Sequence, residues 1–412
     1  MPTTHAPYGT WPSPLDARMV AEHDGRPEYV SAVGEEVWWT EPRPAEGGRR
    51  ALMRLRADGS GRPESVLPAP WNVRNRVIEY GGHPYAAAPR AEDGPLLVFT
   101  HQADQRLYRF APDEPGAAPV PLTPVSDVGG GLRWCDMMVV PERGEVLCVL
   151  EEFTGPAPTD VRRVPVAVPL DGSAAADRAA VRELTAAAHR FVTGPRLSPD
   201  GRRAAWLAWD HPSMPWDGTW AMTAHVADDG TFDGVRSVAG GPEESVVQVE
   251  WAADGSLLAA TDRTGWWNLH RLDPDGTGEP VNLCPREEEF AGAMWRLGLT
   301  WFAPLDSGLI ATLHGRGAQR LALLDPDTGE LTDTPGPWTE WYSTLVATGT
   351  RVVDVAAGPA TAHEIVELDT ATGHTRVLAA GRPDPVDPAY YPQPRARVFT
   401  GPDGRDVHAH VV

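Results

Sequence analysis

The sequence predicts an all-β protein, a β-propeller of about seven blades, because one phrase of turn and strand recurs along the chain. In each copy an Asp-Gly-type turn leads into a short apolar strand, and a polar turn then leads into a second strand. The copies are about 50 residues apart, which suits a four-stranded blade with its loops. They begin near Val37, Leu96, Val146, Ala204, Leu257, Leu309 and Arg351.

The second observation is that apolar and polar residues alternate within these strands, while no long segment carries a strong helical period. A β-sandwich array would not repeat one turn phrase seven times, and the rungs of a parallel β-helix are far shorter. Both alternatives are therefore disfavoured. One segment departs from the strand pattern, the Ala-rich residues 174–190. For it the sequence leaves two alternatives open, a short helix or a flexible connecting segment.

Composition and charge exclude several functional classes. The chain has 412 residues, with 36 basic and 57 acidic side chains and a net charge of −21, which disfavours nucleic acid and anionic membranes as partners. It contains no lysine, so a lysine base or Schiff base is excluded. Cys135, Cys148 and Cys284 lack CxxC spacing and are expected to be buried free thiols. With no apolar leader and no long apolar run, these features favour a soluble, cytoplasmic protein.

The two ends of the chain fall outside the repeat. The predicted division is a pre-propeller segment 1–28, a propeller 29–381, a Pro-rich linker 382–395 and a final segment 396–412. The last segment reads as strand, Pro-Asp-Gly turn and strand, and the sequence then stops within a strand. We therefore expect the sequence to be part of a longer protein.

Four stretches carry a resemblance to a known family: 8–15, 75–82 (Asn-Arg-Val-Ile-Glu-Tyr-Gly-Gly), 197–218 and 261–270. In these stretches the chain resembles the N-terminal β-propeller of prolyl oligopeptidase-type (S9 family) serine peptidases, in the acylaminoacyl-peptidase and dipeptidyl-aminopeptidase branch. The resemblance implies that an α/β-hydrolase domain with a Ser-Asp-His triad follows in the same chain. Segment 396–412 would then be the first strands of that domain, truncated here, and segment 1–28 would pack against it. The resemblance also implies oligopeptide substrates whose size the propeller limits.

The residues present lack the chemistry of such a peptidase. No serine stands in a Gly-x-Ser-x-Gly nucleophile elbow, so no catalytic residue is assigned and the chain alone is expected to be inactive. Asp273 opens a calcium-like loop, but Cys284 occupies the twelfth position. His408 and His410 share a strand face and read as exposed hairpin histidines. No metal and no cofactor is predicted.

Candidate substrate-binding residues come from the need to pair a peptide's ammonium group with a carboxylate. They are Glu79, Tyr80, Gly81, Gly82, Glu151 and Glu152. Glu79 is preferred, because Gly81 and Gly82 permit close backbone approach beside it; for each carboxylate the alternative is a solvated or structural role. Most tryptophans are expected in the core, with surface roles for Trp216, Trp220, Trp338 and Trp341.

The sequence thus predicts the substrate-gating, non-catalytic propeller portion of a serine peptidase that releases aminoacyl, acylaminoacyl or dipeptidyl units from short peptides. The alternative is a free-standing propeller that acts as a binding or scaffold protein, and a weaker third is a lactonase-like propeller enzyme with a central metal. The assembly state stays open, a homo-oligomer included.

Overall fold

The computed structural model describes residues 5–21, 25–57, 61–90, 94–128, 131–381 and 386–412. Residues 1–4 and 22–24 of the predicted pre-propeller segment and 382–385 of the predicted linker lie outside the described residues. In the described ranges the helices are one short α-helix and five 3-10 helices: α1 (Ala17–Ala21), Pro44–Glu46, Pro141–Arg143, Ser173–Ala175, Arg178–Ala180 and Pro388–Tyr390. Within the described part of the chain, none of them has the length and apolar character needed to cross a membrane.

Seven antiparallel sheets follow one another along the chain, as predicted. The first is β1 (Glu28–Val33), β2 (Glu36–Arg43), β3 (Arg49–Leu55) and β4 (Glu64–Ser65). The second is β5 (Tyr85–Ala88), β6 (Leu96–Thr100), β7 (Leu107–Phe110) and β8 (Val120–Pro121). The third is β9 (Leu132–Val140), β10 (Glu145–Phe153), β11 (Val161–Pro169) and β12 (Arg182–Glu183). The fourth is β13 (Phe191–Val192), β14 (Arg196–Leu197), β15 (Arg203–Trp209), β16 (Trp220–Val226) and β17 (Phe232–Gly240).

The remaining three sheets have the same order. The fifth is β18 (Val246–Trp251), β19 (Leu257–Thr261), β20 (Asn268–Leu272) and β21 (Val281–Asn282). The sixth is β22 (Phe302–Pro304), β23 (Ile310–Gly315), β24 (Gln319–Leu324) and β25 (Leu331–Asp333). The seventh is β26 (Glu340–Trp341), β27 (Val346–Thr348), β28 (Arg351–Gly358), β29 (Thr361–Asp369) and β30 (His374–Ala380). A separate hairpin, β31 (Arg395–Thr400) and β32 (Asp406–Val411), follows the ring.

The sheets are the blades of a closed ring. The first strands of successive blades contact one another, β1 with β5, β5 with β9, β14 with β18, β18 with β22, β22 with β27, and β27 with β1. They therefore surround the central axis. The seven-bladed all-β propeller predicted from the repeat is confirmed.

The recurring phrase corresponds to the middle of each blade. Its two strands are the second and third strands, for example β19 and β20, which are buried almost throughout. The Asp-Gly turn joins the first strand to the second: the Asp254 carboxylate accepts from the Ser256 amide at 2.8 Å, and Gly255 has φ +85°. Only glycine adopts that φ without cost, so this turn requires its Asp-Gly pair.

Hydrophobic cores lie between neighbouring blades. The core between blades 1 and 2 contains Trp38, and the core between blades 1 and 7 contains Trp39 with Val353 and Ile365. No strand is shared between blades 1 and 7 among the described residues, since each sheet is built from its own stretch of chain. Side-chain contacts therefore close the ring: the apolar core around Trp39 and the bonds from Arg351 in blade 7 to Glu35 in blade 1.

The structure decides one alternative that the sequence left open and corrects one prediction. Segment 174–190 forms two 3-10 turns and the edge strand β12, because Asp177 caps a single turn through the Ala179 amide and the chain then pairs with β11. Trp341 is buried in β26 rather than placed in a surface loop, because it packs in the core with its neighbours. The three cysteines are buried and unpaired, as predicted, and His408 and His410 are exposed on β32.

The alternation of strand direction defines two ends of the ring. Every first strand begins at one end, and every crossover from one blade to the next and every loop between second and third strands lies at that same end. We call it the connection face. The chain enters the ring there at Glu28 and leaves it there at Ala380, where strand β30 ends.

Candidate functional site

The crossover from blade 1 to blade 2 forms a tight loop, residues 75–82, on the connection face. Asn75 is buried and closes this loop: its Oδ1 accepts from the amides of Val77 at 3.3 Å and Gly82 at 3.0 Å, and its Nδ2 donates to the Gly82 carbonyl at 3.0 Å. The bonds join the two ends of the loop. The intervening residues are thereby presented in one conformation.

Two consecutive residues of the loop have left-handed backbone angles, Ile78 at φ 53° and Glu79 at φ 62°. Non-glycine residues adopt this region at a cost, so neighbouring contacts must hold them there. The amide of Ile78 donates to the Glu151 carboxylate at 3.0 Å. This bond fixes the backbone that carries Glu79 and Tyr80 out onto the face.

Glu79 is the exposed carboxylate of the loop, with 60% of its side chain accessible. Its two oxygens accept from Arg133 at 2.7 Å and from Arg76 at 2.8 Å. Partial burial would raise the pKa of Glu79, but the hydrogen bonds from Arg133 and Arg76 outweigh it and lower the pKa below its usual value. Glu79 is therefore an ionised, partly solvated acceptor that already shares its charge with two guanidinium groups.

The two glutamates at the end of β10 have different surroundings, because successive side chains of a strand point to opposite faces. Glu151 is fully buried and accepts from Arg133 at 3.1 Å and Arg163 at 2.7 Å besides the Ile78 amide. Glu152 pairs instead with Arg162 and Arg178. The structure brings Glu79 and Glu151 together on Arg133, and it gives Glu152 other partners.

Gly81 and Gly82 let the loop pack closely against its surroundings. Gly81 has φ +78°, and a Cβ there would lie 2.7 Å from the Asn75 carbonyl oxygen. A Cβ on Gly82 would lie 2.9 Å from the sulfur of Cys135. Gly82 also forms a parallel bridge with Leu297, in the crossover from blade 5 to blade 6. The close approach predicted at these glycines is thus made, in this structure, by the protein's own chain.

That approach places Tyr80 beside two tryptophans, a set that we call the aromatic cluster. The ring centroids of Tyr80 and Trp295 are 6.4 Å apart, and those of Trp295 and Trp216 are 4.3 Å apart. Tyr80 and Trp295 are 59% and 56% exposed. Trp216 was expected at the surface. Trp295 was missed, because it lies in a crossover outside the repeat and only its spatial neighbours mark it.

The first strands also place polar groups around the central axis. Asp136, in β9, accepts from the Gly194 amide at 2.7 Å and from Arg196 at 2.5 Å. His83 lies nearby, stacked on Tyr29 with ring centroids 5.0 Å apart. Burial lowers the pKa of His83 to about 4, and the charge of Arg196 adds to this effect while that of Asp136 opposes it.

We expect the low pKa of His83 to make stability depend on pH. Since neutral His83 is favoured in the folded state, its contribution is complete above pH 6.5 and is lost as the pH falls toward 4. Between pH 7 and pH 4.5, the free energy of unfolding measured by chemical denaturation should fall by about 2 kcal/mol more in the parent protein than in His83→Gln. Equal losses in the two proteins would contradict this assignment.

Groups that could hold a metal are absent from the described ranges: no three His, Cys, Asp or Glu side chains converge in a suitable arrangement. Burial raises the pKa values of Cys135 and Cys148, so neither thiol is a ready nucleophile or ligand. The exposed groups on the connection face described above are Glu79, Tyr80 and Trp295.

Comparison with known proteins defines the class. No protein-family model and no curated protein matches the chain. Among solved structures, prolyl oligopeptidase B from Galerina marginata aligns at TM-score 0.65 and 11% identity, covering 95% of this chain and 55% of that one, which shows a shared propeller fold. The ring thus has the seven-bladed fold that is also the fold of the propeller domain in S9 peptidases.

Two further structures are much more similar in sequence. A crystal structure of puromycin hydrolase aligns at 65% identity and TM-score 0.95, covering 99% of this chain and 61% of that chain. A puromycin-hydrolyzing peptidase from Mycobacterium tuberculosis aligns at 41% identity and TM-score 0.91, with the same coverage of 99% and 61%. The chain is homologous to the propeller domain of these peptidases, and it spans about three fifths of their length.

Proposed function

We propose that this chain is the non-catalytic, substrate-gating propeller of a serine peptidase that acts on short peptides and releases aminoacyl, acylaminoacyl or dipeptidyl units. The observation that carries the proposal is the 65% identity with puromycin hydrolase over 99% of the chain. Puromycin is then the first substrate to test. The chemistry would belong to an α/β-hydrolase domain in the same chain, because no nucleophile elbow occurs in these 412 residues.

The connection face is the side of the ring on which such a domain would sit. The chain enters and leaves the ring there, and strand β32 of the final hairpin approaches the same face at His410. A Cβ on Gly317, in the turn between β23 and β24, would be 3.3 Å from Nε2 of His410 in β32. A domain continuing from this hairpin would cover the loop 75–82 and the aromatic cluster, and only small substrates would reach the space between.

Within that space we propose that Glu79 accepts a hydrogen bond from the ammonium group of the substrate. Its carboxylate is ionised and exposed, and the bonds of Asn75 and Glu151 hold its loop in place. Each oxygen of the Glu79 carboxylate accepts one hydrogen bond, one from Arg133 and the other from Arg76. Lone pairs remain on both oxygens for a third donor. Glu151 supports the loop, while Tyr80 would pack against the substrate's side chain.

The test compares the 412-residue chain with the longer protein encoded by the same gene. We expect the longer protein to hydrolyse puromycin and aminoacyl-nitroanilides in a reaction that a serine-directed phosphonate abolishes, and the 412-residue chain to be inactive. A Gly-x-Ser-x-Gly sequence should occur within about 200 residues downstream, the size of one domain. Phosphonate-sensitive cleavage by the 412-residue chain would contradict the proposal.

The same assay tests the role of Glu79. In the longer protein, Glu79→Gln should lower kcat/KM about 10- to 100-fold for substrates with a free amine, because a charge-assisted hydrogen bond is lost, and much less for N-acetylated ones. Glu152→Gln is the matched control, since Glu152 pairs with other arginines, and it should change neither value. An equal loss with both substrates would remove Glu79 from ammonium recognition.

A further inference from the structure

A second polar group lies on the connection face where blades 1 and 7 meet the crossover from blade 5 to blade 6. It consists of Glu28, at the start of β1, with Arg26, Arg50 and Arg296 around it, and we call it the arginine cluster. The ring of Tyr342, between β26 and β27, forms its wall. Four separate parts of the chain thus converge on one small region.

The residues that the structure describes here carry an excess of positive charge. The Glu28 carboxylate lies 2.7 Å from Arg50, 3.0 Å from Arg296 and 3.5 Å from Arg26. Burial would raise the pKa of Glu28, but the hydrogen bond from Arg296 and the charges of the three arginines lower it, so Glu28 is ionised. Among the described residues, three cations surround one anion. Counting Glu340 as well, whose pKa is lowered by a hydrogen bond with His363 and by the charge of Arg26, still leaves one net positive charge in this described set.

The cluster also has donors that its own carboxylate cannot satisfy. Arg26 stacks on the ring of Tyr342 at 3.7 Å, and its buried Nε has no hydrogen-bond partner among the described residues. A guanidinium group carries five N–H donors in a planar fork, so three such groups exceed the acceptors of Glu28 alone. The side chains of Arg26 and Arg296 are 33% and 21% accessible. Their outer edges can therefore be reached from outside.

We infer that the arginine cluster binds a carboxylate, and specifically the C-terminal carboxylate of a short peptide substrate. A planar carboxylate matches the fork of a guanidinium group and would balance the remaining positive charge. Arg296 directly follows Trp295, whose ring contacts Tyr80, and Tyr80 directly follows Glu79. Glu79 and Arg296 are thus the sequence neighbours of two aromatic residues whose rings are in contact. An acidic and a basic group in this arrangement suit the N-terminal ammonium and the C-terminal carboxylate of a free peptide. This last step rests on the proposed peptidase function.

The experiment measures binding rather than hydrolysis, so it does not depend on the catalytic domain. Calorimetric titration of the 412-residue chain with a tripeptide such as Ala-Ala-Phe is compared with titration with its C-terminal amide. We expect the amide to bind at least about tenfold more weakly, because charge-assisted bonds to the carboxylate are lost. Arg26→Gln and Arg296→Gln should each abolish this difference. Arg263→Gln, which removes an arginine paired with the exposed Glu279, should preserve it.

Arg26→Gln keeps the test decisive if removing Arg296 weakens the fold, because Arg26 lies at the accessible edge of the cluster. Equal binding of acid and amide, no binding of either, or a preference that survives Arg26→Gln would overturn the inference. The same carboxylate chemistry could come from a side chain of the following domain. In that case the longer protein would show equal kcat/KM for peptide acids and amides although the 412-residue chain discriminates between them, and the assignment to substrate would fall.

Discussion

Replacing Trp39 with alanine is expected to lower the free energy of unfolding by about 3–5 kcal/mol, the usual cost of removing a large buried aromatic side chain. Trp39 is 1% exposed and packs in the core between blades 1 and 7 with Val353 and Ile365. Its Nε1 donates to the Glu41 carboxylate at 3.0 Å. Because no shared strand joins these blades in the described chain, the ring should open at this point. Urea denaturation measures the change in the free energy of unfolding. Faster hydrogen exchange of the amides in β28 and β29 would report that the ring opens between blades 1 and 7.

Trp38 supplies the matched control, since it is the same residue type in the same strand and is equally buried. It packs in the core between blades 1 and 2. Trp38→Ala should cost a similar free energy but accelerate exchange in β5 and β6 rather than in β28 and β29. If both variants accelerated exchange in the same blades, closure of the ring by packing at Trp39 would be wrong.

Replacing Glu151 with alanine is expected to cost about 3–5 kcal/mol, because it removes the carboxylate of a buried ion-paired group. Arg133 and Arg163 are each less than a tenth exposed and both bond to this carboxylate. The Ile78 amide would lose its acceptor as well, so the left-handed turn at 78–79 should relax. Chemical unfolding measures the energy, and the exchange rate of the Ile78 amide should rise.

Glu152→Ala is the control that shows whether removing any glutamate from the end of β10 has the same effect. Glu152 pairs with Arg162 and Arg178 in a setting where all the side chains are partly exposed, and such pairs contribute about 1 kcal/mol or less. A loss for Glu152→Ala as large as that for Glu151→Ala would show that burial of Glu151 is not what matters. An unchanged Ile78 exchange rate in Glu151→Ala would remove its role in holding the loop.

The propeller could be predicted because its signal is local and repeated. Residues such as Asp254 and Gly255 specify a turn by their own geometry, and a second strand such as β19 carries a short apolar run because both of its faces are buried. Some fourth strands, such as β4 and β21, are only two residues long and largely exposed, so the sequence alone gave no reliable sign of them.

The candidate site was predicted only in part. The Glu-Tyr-Gly-Gly sequence pointed to the loop at 79–82, yet its charge alone could not separate an exposed carboxylate from a buried one. Glu79 and Glu151 are both glutamates beside arginines, and only their accessibility distinguishes the group that can meet a ligand from the group that supports the loop. Trp295 and Arg296 lie in a crossover with no repeat to align, so nothing in sequence drew attention to them.

By itself the sequence determined the repeat, and with it the number of blades, the turns within them and the absence of a nucleophile elbow, because each of these depends on neighbouring residues. The tertiary structure decided what lies side by side on the connection face. Glu79 meets Arg133 across 54 positions, and Arg296 meets Glu28 across 268. The physical reason is that closing a ring brings together crossovers from distant blades, and local sequence carries no information about which of them become neighbours.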